Sequence, residues 1–511
     1  MNNNRCHINL AYITCFKDRF TSNAINNNGF HNLTFNGINT LERLETKNTF
    51  VDQKITYTHK WKDKNVVLLK ARYFSTKIPQ LYNIDDYLMG DLFSFNADAM
   101  NNDITNEKTF AGLEADFKLR QKNNDLIEFQ VGYEYNDESL NTVFQLFNNN
   151  DTFRPQGFQT DSYFTLGDLY VKSGYTWKWN TFKVSGRAEA HQLFNSFKTL
   201  QSEKKQNPLY VNPSLTFNWD VMPTHIFNGS YMVNFNNTSF IDVNDTYLLN
   251  SSRSFSKGLG EFRLTDSQMA NLRYSIRHYL NRYCFSLNLN YSTQRNVLSS
   301  RSLINQNSAL SETIFIRGGD TYRAGVTSNF YFRKLKSNVK LEGNYSKSTS
   351  FNEINNSGLR KNNFYNQQYN FEWRSNFKTA FNFHLGTEWT LSKVESPDFE
   401  NNYTNGFSFL DLFFKVDEKL DVKAVTEYYY FGNLAEKQRD HIFLDLEATY
   451  KFSGDKWTLG LRGNNLFNKQ NFTTYNVSDI GYSTNSYRLM PRYILLTAKY
   501  SGYANKNYSL S

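Results

Sequence analysis

Apolar and polar residues alternate along most of this chain with a period of two, the spacing at which a β-strand sends successive side chains to opposite faces. Ile127, Phe129, Val131, Tyr133 and Tyr135 share one face, and Glu128, Gln130, Gly132 and Glu134 share the other. The segment from Phe182 to His191 repeats the pattern, with Val184, Gly186, Ala188 and Ala190 set against Lys183, Ser185, Arg187, Glu189 and His191. Further copies run from Val67 to Tyr73, Phe285 to Tyr291, Val339 to Tyr345, Leu444 to Phe452 and Ile494 to Tyr500. No amphipathic helix competes, so the chain is predicted to be all-β.

Connections between these strands are of two kinds. Short polar turns are expected near Lys62 to Asn65, Gln121 to Asp125, Lys178 to Asn180, Asp220 to His225, Asn281, Lys334 to Ser337, Ser375 to Lys378, Asp417 to Lys419 and Ser453 to Asp455. Long stretches rich in Asn, Ser and Gly cover 79–109, 137–165, 194–210, 238–265, 296–321, 350–368 and 467–489. Short turns on one rim and long loops on the other predict a large antiparallel transmembrane β-barrel with periplasmic turns and extracellular loops. Nine turns imply roughly eighteen strands, and Asn9 to Phe20, Asn32 to Leu44 and the chain after Pro491 bring the number to about 20–22. Pro79, Pro155, Pro208, Pro223 and Pro397 are expected in loops or turns, and Pro213 and Pro491 at strand starts, because proline cannot donate to a ladder.

A soluble sandwich or solenoid is the competing reading. Against it stand the full charges on the polar faces, the loop asymmetry, and aromatic residues at strand ends (Trp177, Trp179, Tyr133, Tyr135, Tyr428 to Tyr430), which suit membrane interfaces.

Composition removes other classes. No window approaches the roughly 20 apolar residues of a transmembrane helix. Aromatic residues make up 17% of the chain, far from a disordered composition. Three Cys without a CxxC pair exclude a disulfide framework. The net charge of +9 is spread over strand faces and turns, so no nucleic-acid partner is expected. Bland solvation, plus attraction to anionic lipid headgroups at the rims, accounts for the excess, and outer-membrane lipid and lipopolysaccharide are the expected partners there. The opening MNNNRCHINLAYITCFKDRF lacks an uninterrupted apolar core and a small-residue cleavage site, so an export signal is expected to be absent from this chain.

Catalytic constellations are weak, and no catalytic residue, metal site or cofactor is expected. The eight His are scattered, with neither HExxH nor GxSxG. Asp440 and His441 adjoin, yet adjacent strand residues point to opposite faces, and a protease or phospholipase built on them is the weakest reading. Gly318 and Gly319 read as a turn.

Two segments bring a family into view. RGNNLFNKQNF (Arg462 to Phe472) followed by SYRLMPRYILLTAKY (Ser486 to Tyr500) resembles the last two strands of TonB-dependent outer-membrane receptors, especially the Bacteroidetes branch carrying a carboxypeptidase-regulatory-like domain. HKWKDKNVVLLKARY (His59 to Tyr73) with KIPQ (Lys77 to Gln80), and RSFSKGLG (Arg253 to Gly260), are similar to the same branch. The resemblance implies a 22-stranded barrel in the cell outer membrane, inserted by the barrel-assembly machinery, and uptake of a small nutrient such as a siderophore, glycan, vitamin or peptide. It also implies an N-terminal plug through which TonB acts. No segment before Phe50 resembles that plug, so TonB is an expected partner only if a plug domain is supplied, and gated transport is not expected of the barrel alone.

The expected organisation is 1–49 as first strands or an irregular lead-in, 50–501 as the receptor-like barrel, and 502–511 as a polar tail. Selectivity is expected in the long loops, where Phe153, Phe158, Tyr163, Phe364 and Tyr365 are candidates to stack on sugars or aromatic chelators. The alternative is a non-transporting outer-membrane barrel that binds a partner through the same loops.

Overall fold

A computed structural model describes residues 5–25, 28–30, 39–61, 65–85, 92–121, 125–148, 151–278, 283–305, 308–452, 456–479 and 481–500. Among them lie 28 strand segments and two four-residue helices. In order, the strands begin with β1 (Arg5–Ile25), β2 (Asn28–Phe30), β3 (Asn39–Trp61), β4 (Asn65–Asp85), β5 (Ala99–Arg120), β6 (Leu126–Asn148), β7 (Asp151–Phe153), β8 (Thr160–Trp179), β9 (Phe182–Thr199), β10 (Glu203–Gln206), β11 (Leu209–Met222) and β12 (His225–Asn237). Helix α1 (Phe240–Val243) precedes β13 (Leu248–Ser251), β14 (Ser254–Lys257), β15 (Leu264–His278), β16 (Tyr283–Ile304), β17 (Ala309–Arg317), β18 (Asp320–Phe332) and β19 (Ser337–Ile354). Then follow β20 (Leu359–Ser375), β21 (Phe381–Ser396), β22 (Phe399–Lys415), β23 (Leu420–Phe431), α2 (Glu436–Arg439), β24 (Asp440–Lys451), β25 (Trp457–Asn464), β26 (Asn471–Ser478), β27 (Gly481–Arg488) and β28 (Tyr493–Tyr500). The fold is all-β, as the alternation predicts. The number of segments exceeds the expected 20–22 because the connections carry strands of their own: β2, β7, β10, β13 and β14 have three or four residues each, and β26 and β27 form a hairpin within the expected loop 467–489.

One compact unit comprises residues 1–272, 290–322 and 348–362. In it, β1, β3, β4, β5, β6, β8, β9, β11 and β12 pair successively as antiparallel neighbours. The register sorts side chains as the sequence does. Leu69, Leu113, Phe129, Tyr133, Leu169, Val171 and Tyr175 stay exposed on one face although apolar. Lys70, Glu114, Glu134, Asp168, Lys172 and His191 lie on the other. The turn between β8 and β9 is two residues, and Asn180 takes the left-handed conformation (φ 49°) that asparagine tolerates in tight hairpins.

Much of the chain expected as loop is strand. Residues 79–85, 99–109, 137–148 and 160–165 continue β4, β5, β6 and β8. They escaped the alternation because their polarity is reversed. Low on β6, the odd residues up to Tyr135 are apolar and face out. Higher up, the even residues Leu140, Phe144 and Leu146 are apolar, and they are buried on the inner face. Material from the connections folds onto that face and closes two cores. Phe93, Ala97, Phe158 and Phe255 pack against Ile84, Met100, Phe144 and Leu146. Phe240 and Val243 of α1, with Phe262, pack against Leu140, Phe164 and Phe197. A capping box between Ser239 and Asp242 holds the single turn of α1 in place.

Pro79 is a correction: it lies inside β4, opposite Thr105 of β5, rather than in a loop. The ladder on its other side, to β3, skips from Thr46–Gln80 to Thr49–Lys77, so the missing N–H falls where no pairing is made. Pro213 is likewise within β11, at the residue before its pairing with β12 begins.

The second unit comprises residues 273–289, 323–347 and 363–511. Here β20 to β25 form successive antiparallel pairs, and β25 pairs with β28 from Trp457–Tyr500 to Asn464–Tyr493. The NLF segment anchors the β26–β27 hairpin inserted between these last two strands. Asn465 and Asn468 adopt positive φ, and the Asn465 amide donates to the carbonyls of Lys469 (2.7 Å) and Met490 (2.9 Å). In the turn between β22 and β23, Asp417 accepts the backbone N–H groups of Lys419 and Leu420, which hold its carboxyl below the ordinary value. The turns expected at Lys62 to Asn65, Gln121 to Asp125, Asn281 and Ser453 to Asp455 lie wholly or partly outside the described residues, as do part of the strand expected at Asn32 to Leu44 and the 502–511 tail.

Candidate functional site

The charged face of the first unit is built by register. Cross-strand neighbours on one face sit close enough for opposite charges to pair. Lys70 Nζ reaches Glu114 Oε1 at 2.6 Å, and the Tyr170 hydroxyl donates to Glu114 Oε2 at 2.8 Å. That reach depends on Gly132, because a Cβ there would clash with the Cζ and hydroxyl oxygen of Tyr170. Arg72 makes a two-pronged pair with Asp52 (3.1 and 2.9 Å), Arg187 meets Glu128 at 2.7 Å, and Lys172 lies 3.3 Å from Glu189. His191 Nδ1 is 2.9 Å from Asp168, and its ring stacks on Tyr210 with centroids 5.1 Å apart and planes at 12°. The charged groups come from six strands, with Tyr210 from a seventh, and face away from the exposed apolar side. Charges in a membrane-spanning wall are stable only toward water, so this face lines an aqueous space.

The five aromatic residues expected as ligand contacts do not assemble into one site. Phe158 is buried in the loop core, edge-on to Phe93 and Phe255 and stacked on Tyr247 at 5.1 Å. Phe153 stacks on Phe95 at 5.3 Å beside the same core. Tyr163 is 49% exposed on β8. Phe364 and Tyr365 are successive residues of β20, so they point to opposite faces. Tyr365 lines an open cavity of about 590 Å³ with Tyr345, Lys393, Tyr403 and Tyr430, and Lys347 lies over its ring at 5.3 Å.

Asp440 and His441 also part. Tyr428 donates to Asp440 at 2.6 Å, while the buried His441 packs on Phe472 and takes the Thr473 N–H on Nε2 at 3.5 Å. Gly318 and Gly319 form the turn between β17 and β18, with φ of 112° and 134° that favour glycine. Among the described residues, no group of three or more His, Cys, Asp or Glu is arranged to hold a metal ion. Sequence reading passed over the Asp168–His191 pair. Both residues sit on polar strand faces, but only the β8–β9 register brings positions 23 apart together.

The sequence profile described as "Outer membrane protein beta-barrel family" matches residues 59–500, most of the chain. The chain belongs to this family. The family places the protein in the outer membrane, with the apolar face toward lipid. No curated protein sequence matches the chain. Solved structures similar to this barrel include the copper transporter OprC (9% identity, TM-score 0.45, covering 96% of this chain and 81% of that one). They also include the closed form of the ferric-catecholate import receptor Fiu from K12 E. coli (9%, 0.39, 97% and 81%). A third is the ferric yersiniabactin uptake receptor FyuA from Yersinia pestis (6%, 0.39, 90% and 77%).

Proposed function

We propose that the protein is the barrel of a TonB-dependent receptor of the Bacteroidetes, carboxypeptidase-regulatory-like type, and that it serves uptake of a small nutrient across the outer membrane. The observation that carries this reading is the continuous charged face running through β4, β5, β6, β8 and β9 opposite an apolar one. A wall of that kind separates lipid from a wet conduit, and barrels wide enough to keep such a conduit open pass solutes. The NLF segment and the terminal alternating strand support the receptor type. Energised gating in such receptors belongs to a plug domain acting with TonB, and the barrel by itself would conduct passively. Phe364, on the same phase of β20 as Gln368 and Glu372, is the proposed first contact for ligand. Tyr163 shares the phase of Leu169 on β8, and Tyr365 the phase that continues to Leu410 of β22, the lipid side of their strands.

The test is conductance of the 511-residue chain, folded into a planar lipid bilayer. Discrete ohmic steps are expected. A folded, heat-modifiable barrel that passes no current would overturn the conduit. That outcome would favour a second reading, a surface barrel that binds a partner through its loops, for which the two loop cores are the supporting observation.

A further inference from the structure

On the charged face of the second unit runs a line of aromatic rings. We propose that Phe407, Phe409, Phe413, Tyr429, Phe443 and Phe472 form a binding track for a neutral oligosaccharide. The proposal rests on the conduit reading for the statement that this face meets water.

Register fixes the face. Phe407 lies opposite Glu388 and Tyr429, and Phe409 opposite Gly386 and Glu427. Phe413 lies opposite Lys423, and Phe443 opposite Glu427. The intervening Leu410 and Phe414 and the neighbouring Ile442 and Leu446 are the exposed apolar residues of the lipid side. β22 therefore carries Phe407, Phe409 and Phe413 on the phase that also holds Asp411, as well as Leu410, Leu412 and Phe414 on the other, and a wall between lipid and water does not require rings on its charged side.

The rings follow one another at 5.9 Å (Phe409 to Phe407), 4.8 Å (to Tyr429), and 6.0 or 5.3 Å (to Phe443 or Phe472). These steps are close to the length of one sugar ring in a chain. Along β22 alone, the run from Phe407 to Phe413 spans roughly 20 Å. Gly386 makes the line possible, since a Cβ there would stand 2.5 Å from the Phe409 ring.

The polar groups between the rings select the ligand. Aromatic faces stack on the C–H faces of pyranoses, while sugar hydroxyls donate to carboxylates. Glu388 accepts from Gln368 (2.8 Å) and Glu427 from Tyr429 (3.0 Å), which leaves lone pairs on both carboxylates for hydroxyl donors. Asp411 stands between Phe409 and Phe413, and the nearby Lys423, over the Phe413 ring at 5.3 Å, lies 3.7 Å from it. Carboxylates interleaved with rings repel an anionic chelate and tolerate a neutral glycan.

The full chain in detergent, titrated calorimetrically with maltohexaose, cellohexaose and xylohexaose, tests the track without requiring a pore. At least one of the three is expected to bind, and hexagalacturonate more weakly than any that does. Phe407→Ala and Phe409→Ala should each weaken binding about tenfold, and Phe409→Trp should retain it. Heat-modifiable migration and conductance of the variants should match the wild type. If no hexaose binds, as when a polypeptide segment covers the rings, or if the alanine variants bind as wild type, the proposal falls. Conductance with no sugar binding sinks the track and leaves the conduit. Sugar binding with no conductance does the reverse.

Discussion

At the scale of single residues, two glycines of the first unit look alike in sequence and differ in consequence. Gly132 gives up its side-chain volume to the Tyr170 ring, which thereby reaches Glu114, whereas a Cβ at Gly186 would meet nothing within 4 Å. Gly132→Ala should cost about 1–3 kcal/mol by forcing the ring away and breaking that hydrogen bond. Gly186→Ala should be neutral or slightly stabilising. Urea titration of the refolded protein in lipid vesicles, followed by tryptophan fluorescence, reads the difference, and equal effects would refute the packing argument. Both glycines were visible as members of alternating segments, but nothing local tells which one has a ring above it. Phe158 makes the same point. An aromatic residue in an Asn-rich stretch reads as an exposed ligand contact until the partners that enclose it, Phe93 and Phe255, arrive from positions far along the chain.

Among the elements, the short strand β14 depends on a charge pair. β14 pairs in parallel with β17, and Lys257 Nζ reaches Glu312 Oε1 at 2.7 Å while the Tyr247 hydroxyl donates to the same carboxylate. The Lys257 ammonium holds the Glu312 carboxyl below its ordinary value, with Tyr247 adding to the effect. A carboxylate whose value is depressed on folding stabilises above the unfolded value, and the contribution is lost as pH falls through the folded one. Hydrogen-exchange protection of 254–257 should therefore hold across neutral pH and decline once pH drops below the ordinary glutamate range. Glu312→Gln should remove that pH dependence, and an unchanged profile in the variant would assign the decline elsewhere. Elements of the membrane band were legible because lipid and water impose one phase on every strand. Their upper halves were not, because the apolar residues move to the opposite phase and read as loop. Pro79 was misplaced for that reason: it sits near the point where β4 leaves the band.

The molecule as a whole follows from which side of each strand meets hydrocarbon. Val171, exposed on the lipid face of β8, and Lys172, on the charged face, are neighbours in sequence. Val171→Arg should cost about 2–4 kcal/mol near the bilayer midplane, while Lys172→Arg keeps its charge in water and should cost little. Folding free energies in vesicles decide it, and a tolerated Val171→Arg would contradict the assigned face. Class and membrane location were readable from pattern alone. The aromatic track was not, since GFSFLDLFFK reads as one more apolar run unless its two phases are scored separately.

The reversal of polarity along β4, β5, β6 and β8 has a mechanical meaning. These strands have 20 to 23 residues, against about 9–11 needed to cross the hydrocarbon. The surplus rises beyond the headgroups, where lipid no longer supports the sheet from outside. There the protein supplies its own solvent, and the Phe-rich loop cores do for the upper tier what acyl chains do for the lower. Each long hairpin is thus a membrane protein at its foot and a water-soluble one at its crown. Detergents that strip the bilayer should loosen the foot while the crown keeps its shape.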